Sequence, residues 1–313
     1  MGLLRRAARV YAEEGFGGLG TRLARKVLRR PHPLGGAANS QIPDLATAQV
    51  EYARHVDEFQ ARSRQLGCAD EVANLYWYHT IDLGNGLITP GDYDYRSAVA
   101  TFPFPRDMHG MTVLDVGSAT GFFAFEFERR GADVVSVELP SLTDWDILSF
   151  ERPRVLANLK AATKSGTLEE AYHNLTDGPF RFCHRRLGSK VRRCYSTIYD
   201  LTPAKLGRDR FDLVFAGNIL VHLFSPLKAL DVLASLCKTT LIATIGSAPP
   251  RREPLMVFQK SNPRAWWSPN RACMEQMLSR LGFADIQCTG HYAGWLRRAW
   301  HVYHCEIIEA NRA

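Results

Sequence analysis

No stretch of the chain approaches the ~20 uninterrupted apolar residues that a membrane-spanning helix needs, and the N-terminus has no apolar run followed by a small-residue cleavage site. A cytoplasmic protein is therefore expected. The seven cysteines (Cys68, Cys183, Cys194, Cys237, Cys273, Cys288 and Cys305) contain no C-x-x-C pair, and their odd number suits no disulfide framework. Neither Cys183-His184 nor Cys288 with His291 has a second pair at metal spacing, so reduced structural thiols and no metal site are expected. Internal repeats and low-complexity tracts are also missing. Hydrophobic residues at 46% and charged residues at 23% exclude a wholly disordered or collagen-like chain. At 313 residues the chain is long enough for one large α/β domain with an extension.

Net charge is nearly absent from most of the molecule. Residues 1–30 hold eight basic side chains against Glu13 and Glu14, which accounts for six of the chain's seven net positive charges. In that segment Leu3, Ala7, Val10 and Tyr11, then Leu19, Leu23 and Val27, recur at helical steps, with Gly15, Gly17, Gly18 and Gly20 between the two runs. This pattern predicts two short basic amphipathic helices, which either contact an anionic membrane surface or phosphate, or pack their apolar stripe on the body. Pro31 to Gly36 reads as a linker. Three regions follow: 1–36 as the basic segment and linker, 37–110 as a helical and loop cap, and 111–313 as the main domain. In the cap a helix is predicted over 44–66, and Asn85-Gly86 predicts a hairpin turn.

The main domain opens with a buried strand, Met111 to Val116, then the turn Gly117-Ser118-Ala119-Thr120-Gly121, then a helix from Phe122 to Arg130. A second strand, Asp133 to Val137, ends at Glu138, about twenty residues beyond the turn, where a carboxylate can accept from both hydroxyls of a ribose. The turn is not the dinucleotide fingerprint G-x-G-x-x-G, because Ala119 stands where a middle glycine is common. Asp115, at the end of the first strand, suits a cationic ligand better than a pyrophosphate. Further strands are predicted at 191–197, 211–216, 239–245, 283–288 and 299–308, with helices at 226–237 and 268–281. The predicted fold is α/β and Rossmann-like, a mostly parallel seven-stranded sheet with helices on both faces and an N-terminal helical extension.

The D-x-G-x-x-x-G turn resembles motif I of class I S-adenosylmethionine-dependent methyltransferases. Trp77 to Asp82, Val113 to Glu126, Asn218 to Leu227 and Trp266 to Asn270 together resemble the tRNA wobble-uridine carboxymethyltransferase-like family over roughly residues 70–308. That family holds the extra carboxylate of a carboxylated S-adenosylmethionine with a lysine, a tyrosine and an arginine. His79 and Val221 stand at the first two places, and a displaced Arg264 answers to the third. An imidazole and an isopropyl group do not replace a cation and a phenol, so the resemblance implies ordinary S-adenosyl-L-methionine as the cofactor.

On this reading Asp115, Gly117, Ser118, Thr120, Gly121, Glu138, Asp200 and Asn218 form the cofactor site, with Asp200 accepting from the adenine amino group. His222 is the first candidate base and His79 the second. Trp77, Arg264, Trp266 and Trp267 are candidates for the acceptor pocket. The activity implied is methyl transfer to a hydroxyl of a small molecule or glycan, including one linked to lipid and met at the inner membrane surface through residues 1–30. Two alternatives stay open: a tRNA methyltransferase, and a noncatalytic S-adenosylmethionine-binding protein. A nicotinamide dehydrogenase fits least well.

Overall fold

The structure is a computed structural model that describes residues 42–246, 251–259 and 262–313. The basic segment 1–30 and the linker 31–36 lie outside the described residues.

Asp44 starts helix α1 (Leu45–Gln65) as an N-cap, its side chain accepting from the Ala46 and Thr47 amides. The next forty-six residues, 66–111, are mostly loop. Asn85-Gly86 forms the predicted hairpin turn, in which the Leu87 amide donates to the Gly84 carbonyl and Asp82 bridges Ile88. Then come β1 (Thr112–Val116), α2 (Phe122–Arg129), β2 (Asp133–Glu138), α3 (Arg152–Ala162), α4 (Leu168–Tyr172), α5 (Gly178–Leu187) and β3 (Arg192–Tyr195). The second half contains β4 (Phe211–Gly217), α6 (Pro226–Leu236), β5 (Cys237–Gly246), the short pair β6 (Met256–Phe258) and β7 (Trp267–Pro269), α7 (Arg271–Arg280), β8 (Phe283–Leu296) and β9 (His301–Arg312).

Seven strands form one sheet in the order β3-β2-β1-β4-β5-β9-β8. The first five pair in parallel, while β9 is antiparallel to both β5 and β8. Alternation along the central strands supplies two separate cores. Val113, Val134, Leu213, Phe215, Ile242 and Ile307 pack against α2, α5 and the cap. Their neighbours Leu114, Val135, Val214, Ala216, Leu241 and Ile308 pack against α6 and α7. Burial on both faces explains why these strands read as continuous apolar runs.

One predicted helix starts later than expected. Ser268 and Pro269 belong to β7, where Ser268 pairs with Val257, and α7 begins only after Asn270, whose side chain accepts from the Cys273 amide. A residue before proline is driven to extended backbone, which puts the boundary there. The closing hairpin β8–β9 is longer at both strands than predicted, and its far end reaches over the carboxyl edge of the sheet.

Candidate active site

The strand order reverses between β2 and β4 across β1, and ligands of open α/β sheets bind beyond the carboxyl ends of the strands at such a point. A cavity of about 480 Å³ lies there. Its floor is the turn after β1. Gly117 has φ +73, and a Cβ on it would sit 2.9 Å from the Ile219 side chain, so only glycine lets β1 turn this sharply beneath the cavity. Ala119 also occupies the left-handed region, with φ +47. Its amide donates to Glu138 Oε2 at 2.9 Å, while the Leu139 amide donates to Oε1 at 2.9 Å. The Glu138 carboxylate, at the end of β2, is thus held in one orientation at the cavity wall, with lone pairs left for a ligand.

Beneath this floor runs a buried polar clamp that sequence reasoning missed. The guanidinium of Arg193, on β3, stacks 4.0 Å from the Phe180 ring centre and donates to Ser118 Oγ (2.7 Å), Ser136 Oγ (3.1 Å) and the Ala119 carbonyl (3.0 Å). It also stands 4.0 Å from Glu138 Oε2. One side chain therefore joins β3, β2 and the turn after β1. In the sequence Arg193 stands in a basic cluster with Arg185, Arg186, Lys190 and Arg192, and nothing local sets it apart from a solvated charge.

Two buried polar atoms on the cavity wall have no hydrogen-bond partner, Asp115 Oδ2 and His79 Nδ1. Burial pushes the Asp115 carboxyl up to about 7, opposed by the charge of Arg193 and assisted by that of Glu138. Burial alone drives the His79 imidazole down to about 3, so the ring is uncharged at neutral pH. His79 sits among Tyr78, Tyr95, Phe122 and Phe123, with its amide 3.2 Å from Thr120 Oγ1. Unsatisfied buried polar groups cost about 1–3 kcal/mol each, and in a pocket they mark where a ligand completes the bonding.

His222 follows β4 and opens onto the same cavity, accessible to solvent through it yet ringed by protein. Its Nδ1 is bonded to the Arg264 carbonyl. A carbonyl only accepts, so Nδ1 carries the proton and Nε2 keeps its lone pair. Desolvation lowers the imidazole pKa below its usual value, and the nearby Arg264 charge adds to this against the carbonyl bond. Arg264 lines the cavity, its guanidinium 5.7 Å from the Trp145 ring centre. Asn218, with φ +52, lines it as well. Its amide donates to Thr244 Oγ1, and its side chain reaches Tyr292 and Cys305.

Several predicted site residues stand elsewhere. Trp77 does not line the cavity: it is buried in the core between Phe59 and Phe182, at ring separations of 5.5 and 5.8 Å. Trp266 and Trp267 lie behind the wall, where Trp266 Nε1 donates to the Asp146 carbonyl and Trp267 Nε1 to the Phe224 carbonyl. They hold the loops that carry Asp146 and His222. Asp200 is exposed and bonded to Thr197 Oγ1, whereas Thr197, Ile198 and Tyr199 reach the cavity. Gly121 starts α2 with φ +94, and a Cβ there would meet Phe125 and Phe180 at under 3 Å, so it serves helix packing. Thr120, fully buried, ties the floor to the cap. Ser118 lines the cavity with its hydroxyl turned into the Arg193 clamp.

The cap and the β8–β9 hairpin supply the rest of the wall. Tyr76, Tyr78, Tyr93 and Tyr95 come from the cap, and Tyr292 from β8. Arg298 pairs with Asp92 at 3.0 Å and lies 3.8 Å from the Tyr76 ring centre. Arg297 donates to Thr80 Oγ1 and the Gly91 carbonyl and pairs with Asp94. These two arginines lock the hairpin to the cap and close the far side of the cavity. Among the described residues no group of three or more His, Cys, Asp or Glu side chains is placed to hold a metal ion.

No family model matches the chain. A magnesium-protoporphyrin O-methyltransferase of Rhodobacter capsulatus is 27% identical over 175 residues, and the match covers 56% of this chain and 58% of that protein, under two thirds of its length. Among solved structures, a magnesium protoporphyrin IX methyltransferase from Synechocystis PCC 6803 with bound SAH (S-adenosylhomocysteine) matches at a TM-score of 0.42 and 15% identity, covering 66% of this chain and 75% of that one. The N-terminal domain of EvdMO1, solved in the presence of SAH and D-fucose, matches at a TM-score of 0.45 and 16% identity, covering 88% of this chain and 100% of that one. With five parallel strands in the order 3-2-1-4-5 and the antiparallel β9 lying between β5 and β8, the chain has the mostly parallel, Rossmann-like α/β fold expected from its sequence.

Proposed function

We propose that the protein is an S-adenosylmethionine-dependent methyltransferase acting on a hydroxyl of a small molecule or glycan, including a lipid-linked one, in the cytoplasm. The observation that carries this reading is the pairing of two carboxylates around the turn after β1: Glu138, fixed by two amides, and Asp115, whose Oδ2 is buried without a partner on the same cavity wall. A diol and an ammonium group are what those two sites would take, and S-adenosylmethionine carries both. Gly117 gives its backbone room, and Asn218 bounds it from the β4 side.

When bound, the cofactor supplies an electrophilic methyl group on a sulfonium, which a nucleophile attacks in line. The chain's own part is to hold the acceptor and take its proton. His222 is the base: Nδ1 is committed to the Arg264 carbonyl, so Nε2 receives the hydroxyl proton as the oxygen attacks. His79 is too weakly basic for that task and orients polar groups as a neutral ring. Arg264 borders the acceptor, and the tyrosines of the cap exclude water and offer aromatic faces and hydroxyls to a sugar or planar molecule.

The test is transfer of labelled methyl from S-adenosylmethionine into a cell extract fractionated into RNA, protein, lipid-glycan and small molecules, with wild type and Glu138→Gln. Label in the lipid-glycan or small-molecule fraction, reduced at least about ten-fold by the substitution, is expected from the loss of a charged hydrogen-bonding partner. Label in RNA would transfer the assignment to the wobble-uridine type of reaction, and cofactor binding without label anywhere would favour a noncatalytic binding protein.

A further inference from the structure

The loop that carries His222 is fastened by side chains from outside it. After β4 the chain makes a short turn in which the His222 amide donates to the Ile219 carbonyl, runs extended through Leu223 and enters α6 at Pro226. Ser225, just before that helix, provides no side-chain cap. The amides of the loop are taken by two other elements instead. The Phe224 amide donates to Asp146 Oδ2 at 2.6 Å, and the Ser225 amide donates to the Tyr199 hydroxyl at 3.1 Å. That hydroxyl in turn donates to the same Asp146 oxygen at 2.6 Å. Desolvation, then the bond to Asp146, raises the Tyr199 pKa above its ordinary value, so the phenol keeps the proton it donates. Asp146 follows β2 and Tyr199 follows β3, so one carboxylate oxygen gathers the segments beyond three parallel strands.

The backbone of the same residue reaches the partner of His222. The Asp146 carbonyl accepts from Trp266 Nε1 at 2.8 Å, and the Trp266 amide donates to the Val221 carbonyl at 2.7 Å. The carbonyl to which His222 Nδ1 donates belongs to Arg264, two residues before Trp266. Asp146 therefore holds both pieces of chain that must stay in register for that bond: 221–225, which carries the ring, and 264–266, which carries its acceptor. A carboxylate accepting from an amide is the strong form of such a bond, and α6 starts two residues beyond Phe224, where negative charge is favoured.

We infer that Asp146 is the positioning residue for His222, fixing the loop after β4 so that Nδ1 meets the Arg264 carbonyl and Nε2 faces the cavity. Misplacing a reacting group by about 1 Å costs up to roughly 100-fold in rate, so the effect falls on kcat. The hold on the loop stands on geometry alone; its effect on turnover rests on the methyl-transfer reading with His222 as the base.

The experiment compares wild type, Asp146→Ala, Asp146→Asn, His222→Gln and the double variant Asp146→Ala/His222→Gln. Long-range proton–nitrogen NMR of histidine-labelled protein near pH 8, about where an imidazole of lowered pKa is neutral, reads the tautomer of His222, and His222→Gln assigns its signal. Labelled methyl transferred from S-adenosylmethionine into a cell extract reads turnover, and the Tm reads folding. The wild-type ring is expected to carry its proton on Nδ1 alone. Asp146→Ala moves it towards the tautomer mixture of free imidazole and lowers turnover at saturating cofactor at least about ten-fold, with S-adenosylhomocysteine affinity changed less than about three-fold. Asp146→Asn, which keeps an oxygen acceptor, recovers most of both. In the His222→Gln background Asp146→Ala adds less than about two-fold, because the two residues act as one unit. Should Asp146→Ala fail to fold, Tyr199→Phe, which removes one hydroxyl from the network, must give the same tautomer shift in smaller measure. A tautomer unchanged in the folded variants, or an equal loss of turnover in both backgrounds, overturns the inference. A shifted tautomer with no label transferred by the wild type supports the hold on His222 and removes the methyl-transfer reading.

Discussion

Asp115 is costly where it stands. Its carboxyl is buried, one oxygen has no partner, and its pKa is pushed up to about 7 from 3.8. The folded chain therefore keeps a proton that the unfolded chain releases. Stability contributed by this site falls as pH rises between those two values, and the full penalty applies above about pH 7. Asp115→Asn should raise the unfolding free energy at pH 8 by about 1–3 kcal/mol and leave it nearly unchanged near pH 4, while weakening S-adenosylmethionine binding at pH 8. Urea unfolding at the two pH values, with calorimetric titration of the cofactor, checks this. A variant less stable at pH 8 would show that the carboxylate is a structural partner rather than a ligand-binding group held at a cost.

Between elements the decisive contact is Arg193, which reaches from β3 under β2 to the turn after β1. Ala119 in the left-handed region is uncommon for a residue with a Cβ, and the clamp on its carbonyl together with the Glu138 bond on its amide holds it there. Arg193→Met keeps the packing on Phe180 but releases the turn and removes the positive charge nearest Glu138. The expected result is a rise of about ten-fold or more in KM for S-adenosylmethionine with a much smaller change in kcat, and partial rescue by Arg193→Lys. Equal losses in both constants, or none, would contradict a positioning role.

The same scale explains what the sequence made legible. Strand, glycine turn, helix and terminal carboxylate are local in sequence, so the order of β1, α2 and β2 and the position of Glu138 followed directly. The cap did not, because its residues act through partners far along the chain. Tyr76 and Tyr78 face the cavity while Trp77 between them faces the core, the alternation of an extended segment. Selecting the tryptophan selected the wrong side of that segment. A one-residue error of the same kind separates exposed Asp200 from cavity-lining Tyr199. Arg298 and Asp92 meet across roughly two hundred residues, and no spacing rule connects them.

Over the whole molecule, a nearly neutral body encloses a large cavity at the switch point of its sheet, and the basic charge of the sequence is concentrated in residues 1–30. On the proposed reading the arrangement separates two tasks: the sheet edge takes the cofactor, and the cap and hairpin take the acceptor. The first of these supports the second. Titration calorimetry of the 313-residue chain with S-adenosylmethionine, for wild type and Glu138→Gln, addresses it directly. One site per chain with a Kd in the micromolar range, weakened at least about ten-fold in the variant, is the predicted result. No binding by the wild type at millimolar cofactor, or equal binding by the two proteins, would contradict the assignment of this cavity.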